Sequence, residues 1–402
     1  MTRNRLAIIA DDLTGAMDSS GFLAARGFSA SVVFDLGSVP DADIVAVSTE
    51  SRRDSATEAA GKTRRAARAL RARTIFKKID STLRGNVGAE LAEIMAELGY
   101  GKAVVAPAFP AARRTTVNGV LLVDGVPVSD TPSAGGPATP ITESHLPTLL
   151  EKSTGYSVGV VGLDVITLGG EAIRRHLLAR SEDILICDAL EQGHLHAVAG
   201  AVASMEGGWL LCGSGGVARE LRPTSREEHQ PPIDMPTQES GPALLVVGSR
   251  HEKTAEQLRM AESLRGIPLI SPGIESAGEV LGRRRSIGIT STFDTHVEGE
   301  EAAVARSLAD SAARAVEQIP VGLFLCGGDV AAEACRKLRV AEVRLIGEVE
   351  PGVPAGCIIG GPAHGMRVVT KAGGLGSPDA IVASLSYLED GTLPATPWVG
   401  LR

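Results

Sequence analysis

The sequence predicts an α/β protein of two domains, each built on a mainly parallel sheet flanked by helices. Three observations carry this. Short apolar, β-rich runs alternate with helix-like stretches along nearly the whole chain, which is the rhythm of repeated βα units. The rhythm stops between Leu221 and Gly241, where four prolines and many polar or charged residues follow no period, as expected of a linker. Finally, 402 residues of which 44% are hydrophobic can fill more than one core. The expected division is an N-terminal domain over 1–222, a linker over 223–241 and a C-terminal domain over 242–402.

In chain order, the apolar run through Ile8, Ile9 and Ala10 reads as a strand that ends in Asp11-Asp12-Leu13-Thr14-Gly15. Strand carboxyl ends face the ligand crevice in open α/β sheets. Two adjacent acids with a hydroxyl and a glycine exceed what one helix cap needs, so this stretch is a candidate site. A helix from Ala16 closes on Gly27, a C-terminal cap signal. Ala30 to Phe34 and Ile44 to Val47 read as further strands of the same parallel sheet, the second running into Ser48 to Arg53. A helix from about Ser55 to Arg71 leads to a strand over Thr74 to Ile79, and that strand ends in Asp80-Ser81-Thr82-Leu83-Arg84-Gly85-Asn86. A helix from about Val87 to Leu98 and a strand from Ala103 follow, the strand running through Pro107-Ala108-Phe109-Pro110 towards Arg113 and Arg114. Val120 to Val123 lies between Asn118-Gly119 and Asp124-Gly125, a hairpin signal. Ser129 to Pro140 is a loop or lid by composition. Ser157 to Val161, Asp183 to Cys187 and Gly208 to Cys212 continue the alternation, the last opening onto Gly213-Ser214-Gly215-Gly216. Beyond the linker, strands are expected at Ala243 to Val247, Val321 to Cys326, Ala341 to Leu345, Cys357 to Ile359 and Arg367 to Lys371, with a helix over Glu252 to Arg265.

Composition excludes several classes. A formal charge of −8 argues against a nucleic-acid surface despite the basic stretch from Arg64 to Lys78, and 3% aromatic residues leave few stacking platforms. No stretch reaches the roughly 20 apolar residues of a membrane span, and Asp11 and Asp12 stop the first apolar run, so no signal peptide is expected. The five cysteines are odd in number and show no C-x-x-C pair. They read as buried thiols of a cytoplasmic protein, with neither a disulfide framework nor a metal site assigned.

The chemistry divides between the halves. In the first, Asp11, Asp12, Asp80 and Asp124 could hydrogen-bond sugar hydroxyls, while Arg52, Lys78, Arg84 and Arg114 could pair with a carboxylate; Arg53 and Arg113 read better as solvated surface residues. A polyhydroxy acid suits such a set. In the second, Gly248-Ser249, Gly327-Gly328-Asp329 and Lys371-Ala372-Gly373-Gly374 each end a strand. Glycines let backbone N–H groups approach an anion, and a following helix N-terminus adds favourable partial charge. None of these loops has the P-loop or G-x-G-x-x-G spacing, which argues against a dinucleotide dehydrogenase.

Together these motifs resemble the four-carbon acid sugar kinase family, which includes D-threonate, D-erythronate and 3-oxo-tetronate kinases. The carrying stretches are Asp11 to Ala16, Lys78 to Gly85, Ala106 to Pro110, Gly213 to Gly216, Gly327 to Asp329, Gly347 to Pro354 and Val369 to Gly374. The resemblance implies an acid-sugar domain and an ATP domain facing each other across a cleft, and ATP-dependent transfer with Mg²⁺ to a terminal hydroxyl of a four-carbon acid. It implies substrate contacts at Asp12, Arg52, Lys78, Asp80 and Ser81, and ATP contacts at Ser249, Gly327, Gly328, Asp329 and Gly373. On residue chemistry, Asp12 or Asp80 would orient the sugar and serve as base, Lys78 or Arg84 would hold the carboxylate, Asp329 would sit near the metal, and Lys371 would stabilise charge near the phosphates. Two departures stand out. Val330 follows Gly-Gly-Asp where the family usually has Thr, and Ala112-Arg113-Arg114 replaces the usual Gly-Arg. A non-catalytic binder of nucleotide or acid sugar is the alternative that Val330 would suit. Stereochemistry and self-association are left open.

Overall fold

The computed structural model describes residues 4–70, 72–131, 140–205, 207–223, 239–272, 281–282, 285–291, 293, 299–319 and 321–393. Of the expected loop at 129–140, residues 132–139 lie outside the described residues, as do residues 224–238 of the expected linker. The contacts divide the chain into two units, Met1–Ser19 with Leu36–His229, and Ser20–Asp35 with Gln230–Arg402.

The elements up to the linker are β1 (Asn4–Ala10), α1 (Leu13–Ala25), β2 (Ala30–Val33), β3 (Ile44–Ser48), α2 (Ala56–Ala69), β4 (Ala72–Lys78), α3 (Val87–Leu98) and β5 (Lys102–Ala106). After these come β6 (Arg114–Val117), β7 (Val120–Val123), β8 (Val126–Pro127), α4 (Leu146–Thr154), β9 (Val158–Val161), α5 (Leu163–Ile166), α6 (Gly170–Ala179), β10 (Ile184–Cys187), α7 (Gln192–Ala203), β11 (Trp209–Gly213) and α8 (Gly215–Ala218). The first unit carries a parallel sheet in the order β3-β1-β4-β11-β5-β10-β9 and a small antiparallel sheet β6-β7-β8. Leu6 to Ala10 are all buried, which is why the strand reads as an unbroken apolar run rather than an alternating one. α2 begins in a capping box, with Ser55 accepting from Glu58 N and Glu58 accepting from Ser55 N. α3 closes on Gly99 in the left-handed region, φ 71°, where the missing Cβ removes the steric penalty.

The second unit adds β12 (Ala243–Val247), α9 (Glu252–Arg265), β13 (Leu269–Ile270), β14 (Ile287–Thr290), α10 (Glu301–Gln318), β15 (Gly322–Cys326), α11 (Gly328–Lys337), β16 (Glu342–Glu350), β17 (Val353–Ile359), β18 (Arg367–Lys371) and α12 (Ala380–Asp390). Its sheet runs β13-β14-β12-β15-β18-β17-β16-β2, parallel as far as β18 and antiparallel beyond it. A core of Leu245, Val247, Leu258, Phe324, Ile381 and Leu385 packs α9 and α12 on this sheet.

One expectation is corrected. Ala30 to Phe34 was expected in the first parallel sheet, but β2 pairs antiparallel with β16, Ala30 opposite Leu345 and Val33 opposite Glu342. Ser31 Oγ donates to Glu342 Oε1 at 2.7 Å and Phe34 N to Ala341 O at 2.9 Å. A four-residue run buried on both faces fits either sheet by pattern alone. Its partner is chosen by contacts 311 residues away.

Candidate active site

The parallel register of the first unit decides what meets at its edge. Ala10 lies opposite both Ser48 and Lys78, so Asp11 and Asp12, the segment from Thr49 to Arg52, and Ile79 to Asp80 all leave the sheet at one end. Arg52 ties the acids together. Its Nε and Nη2 donate to Asp11 Oδ2 at 2.7 Å and Oδ1 at 3.0 Å, and Nη1 donates to Asp12 Oδ2 at 2.7 Å. Nη2 also stands 3.7 Å from Asp80 Oδ1. Asp80 in turn accepts from Arg84 Nε at 3.0 Å, Arg84 Nη2 at 2.8 Å, Thr82 N at 3.1 Å and the Thr82 hydroxyl. The left-handed Leu83 (φ 67°) and Gly85 (φ 96°) bend the chain that brings Arg84 back over Asp80.

Asp12 also accepts from Thr14 Oγ1 at 2.7 Å and Gly15 N at 2.9 Å. A Cβ on Gly15 would stand 2.7 Å from Asp12 Oδ1 and 3.0 Å from Lys78 Nζ. Glycine therefore lets carboxylate and ammonium approach each other over the first turn of α1. Lys78 Nζ donates to Ile79 O at 3.0 Å and forms no ion pair among the described residues. Ser81 is half-buried on the turn after Asp80.

The charges shift one another. Burial pushes the Asp12 carboxyl up, but Arg52 and Lys78 beside it hold it below the usual carboxylate range. The same contest at Asp80, with Arg84 and Arg52 opposing burial, ends well below that range. Burial pushes Arg52 down, and Asp11, Asp12 and Asp80 raise it well above its ordinary value. Opposite charges at hydrogen-bond distance outweigh desolvation here.

Beneath this cluster lies a support that the sequence reading missed. Lys77 and Glu90, both fully buried, form an ion pair, and Ser51 Oγ donates to Glu90 Oε1 at 2.6 Å. Ser51 N donates to Asp11 O at 3.1 Å and Asn86 Nδ2 to Ser51 O at 3.0 Å, so the residue preceding Arg52 is fixed from three sides. The signal that could have found the pair was Lys77 inside an apolar strand, where a charge is almost never buried unpaired.

In the second unit, Val247 lies opposite Cys326 and Cys326 opposite Lys371, so the three glycine-bearing loops share one sheet edge. A Cβ on Gly373 would stand 2.0 Å from Ser249 Oγ, and one on Gly327 (φ 104°) would stand 3.4 Å from Ser249 N. Thr254 Oγ1 donates to Gly373 O at 2.9 Å and stands 3.1 Å from Ser249 Oγ, joining two of the loops. Gly328 and Asp329 open the ten-residue α11. Two expected roles look different in place. Lys371 is buried and donates to Ala372 O at 3.0 Å, Gly373 O at 3.1 Å and Leu375 O at 3.0 Å, so its ammonium holds the loop from beneath; burial pushes it down. The Val330 side chain is buried against Gly248, whose added Cβ would meet Val330 Cγ2 at 2.4 Å. The position where a hydroxyl was missed thus faces the core. Among the described residues no three Asp, Glu, His or Cys side chains gather as a metal cluster, and no helix is long and apolar enough to cross a membrane.

A buried acid–arginine cluster at the end of one parallel sheet and glycine loops at a helix start on another define a two-unit α/β protein with a polar strand-end cluster in each unit. Residues 6–221 match the model of a sugar-binding N-terminal domain, and residues 275–381 that of a nucleotide-binding C-terminal domain. The D-threonate kinase of Salmonella typhimurium is 30% identical, the alignment covering 96% of this chain and 99% of that one. The D-erythronate kinase of Heliobacterium modesticaldum is also 30% identical, over 96% and 97%. A crystal structure from Salmonella typhimurium shares the fold with a TM-score of 0.80 at 22% identity, covering 95% of this chain and 99% of that one. The chain belongs to the four-carbon acid sugar kinase family.

Proposed function

We propose that the protein is an ATP-dependent kinase that phosphorylates a terminal hydroxyl of a four-carbon sugar acid with the help of Mg²⁺. The observation that carries this reading is the cluster of Asp12, Arg52, Lys78 and Asp80, which offers fixed acceptors for hydroxyls beside an ammonium that forms no direct ion pair among the described residues. Phosphoryl transfer asks a protein mainly to position reactants and neutralise charge. Asp12 is the better acceptor for the attacking hydroxyl. Among the described residues its Oδ1 takes only the Gly15 N–H, whereas Asp80 Oδ2 already takes Thr82 and Arg84. Asp12 holds the hydroxyl and accepts its proton as the new O–P bond forms and the bond between the γ-phosphorus and the bridging oxygen breaks, with ADP as the leaving group.

On the nucleotide side, the first-turn N–H groups of α11 and the loops at Ser249, Gly327 and Gly373 suit phosphate oxygens. Mg²⁺ commonly takes one or two carboxylates, with phosphate oxygens and waters completing its shell. The exposed Asp329 in the first turn of α11 fits that need without a dedicated cage. When bound, the ion would offset charge on the phosphates.

ADP release with ATP, Mg²⁺ and a panel of D-threonate, D-erythronate and 3-oxo-tetronate tests the reading. At least one acid should be turned over and should raise the melting temperature as a specific ligand does. No ADP with any four-carbon acid, and no thermal shift with acid or ATP, would overturn it.

A further inference from the structure

Arg114 is held at the acid-sugar edge by backbone bonds. Phe109 N donates to Arg114 O at 2.8 Å and Arg114 N to Phe109 O at 3.1 Å. Phe109 lies on the segment leaving β5, and Ala106 is opposite Gly213, which is opposite Lys78. β5 and β4 are thus two strand spacings apart, about 9–10 Å, and their ends leave the sheet at the same edge. Asp80 and Arg84 both act on its charge, and burial pushes the guanidinium down.

Its own bonding is incomplete. Nη1 donates to Ala112 O at 3.2 Å, while Nε is buried and has no acceptor among the described residues. No carboxylate of the described residues pairs with it. The neighbouring arginines differ: Arg52 pairs with Asp11 and Asp12, Arg84 with Asp80, and Arg113 with Asp124 out in solvent. A half-buried, uncompensated guanidinium is costly unless a counter-charge arrives, and its planar fork matches a carboxylate.

We propose that Arg114 binds the carboxylate of the acid substrate and thereby makes the site select a sugar acid over the neutral polyol. This rests on the functional reading above. The two adjacent arginines differ in the structure: Arg113 is exposed and paired with Asp124, whereas Arg114 is half-buried with no carboxylate partner among the described residues.

The test measures calorimetric affinity for the four-carbon acid that wild type binds, in Arg114→Ala, Arg114→Lys and Arg113→Ala, with melting temperature as a check of folding. Arg114→Ala should lose roughly 10- to 150-fold in affinity, the span of a charge-assisted bond. Arg114→Lys, which keeps charge without the fork, should fall between, and Arg113→Ala should match wild type. Binding of threitol or erythritol should not respond to Arg114→Ala. Wild type that binds no four-carbon acid overturns the functional reading and this assignment with it. Wild type that binds an acid which folded Arg114→Ala or Arg114→Lys binds equally well overturns the assignment alone, as does an equal loss in Arg113→Ala.

Discussion

Glu90→Gln removes one charge from a pair that has no solvent around it. The side chains of Lys77 and Glu90 are 0% and 1% exposed, and Glu90 also accepts the Ser51 hydroxyl at 2.6 Å. Without the carboxylate an ammonium is stranded in the core, which costs about 3–5 kcal/mol when one member of a buried pair is lost. In a domain of this size each 1 kcal/mol moves Tm by about 2–4 °C, so a fall of roughly 6–20 °C is expected. The sign with pH follows from Lys77. Burial pushes it down, but Glu90 and Asp11 hold it above the usual lysine range. In the intact protein the pair therefore stabilises throughout the range below the ordinary lysine value and is lost only as pH rises through the raised one. In the variant burial wins, the folded value drops below the unfolded one near ~10.4, and the penalty shrinks as pH rises towards it. Urea denaturation of both proteins at pH 7 and at pH 9.5 checks this. A deficit below about 1 kcal/mol at pH 7, or one of equal size at both pH values, would refute the account of a stranded charge.

Three further outcomes are expected. Asp12→Asn keeps the shape of the acceptor but not its basicity, so kcat for the acid should drop about 10²–10⁴-fold while KM for ATP stays within error; an unchanged kcat would move the base elsewhere. Gly373→Ala places a Cβ 2.0 Å from Ser249 Oγ, and the forced shift, about 1–3 kcal/mol for overpacking, should raise KM for ATP without altering acid affinity by calorimetry. Val330→Thr puts a hydroxyl in the buried position against Gly248; denaturation should show a loss of about 1–3 kcal/mol, and turnover should not increase.

The sequence by itself determined the α/β class, most strand positions, the glycine cap that follows α1, and the acids at the ends of β1 and β4. Each of these is written locally, as an apolar run, a cap residue or a polar group following a strand. Tertiary structure decided what depends on partners far along the chain. β2 took its place beside β16 because a short buried run carries no direction of its own. Asp11, a candidate for sugar hydroxyls by its place after a strand, accepts instead from Arg52, 41 residues away. Lys371 turned under its loop because three carbonyls converge there, and Lys77 could enter the core only because α3 brings Glu90 to it. A residue's type limits the bonds it can make, but which bonds form depends on register and packing, and those exist only once the chain has folded.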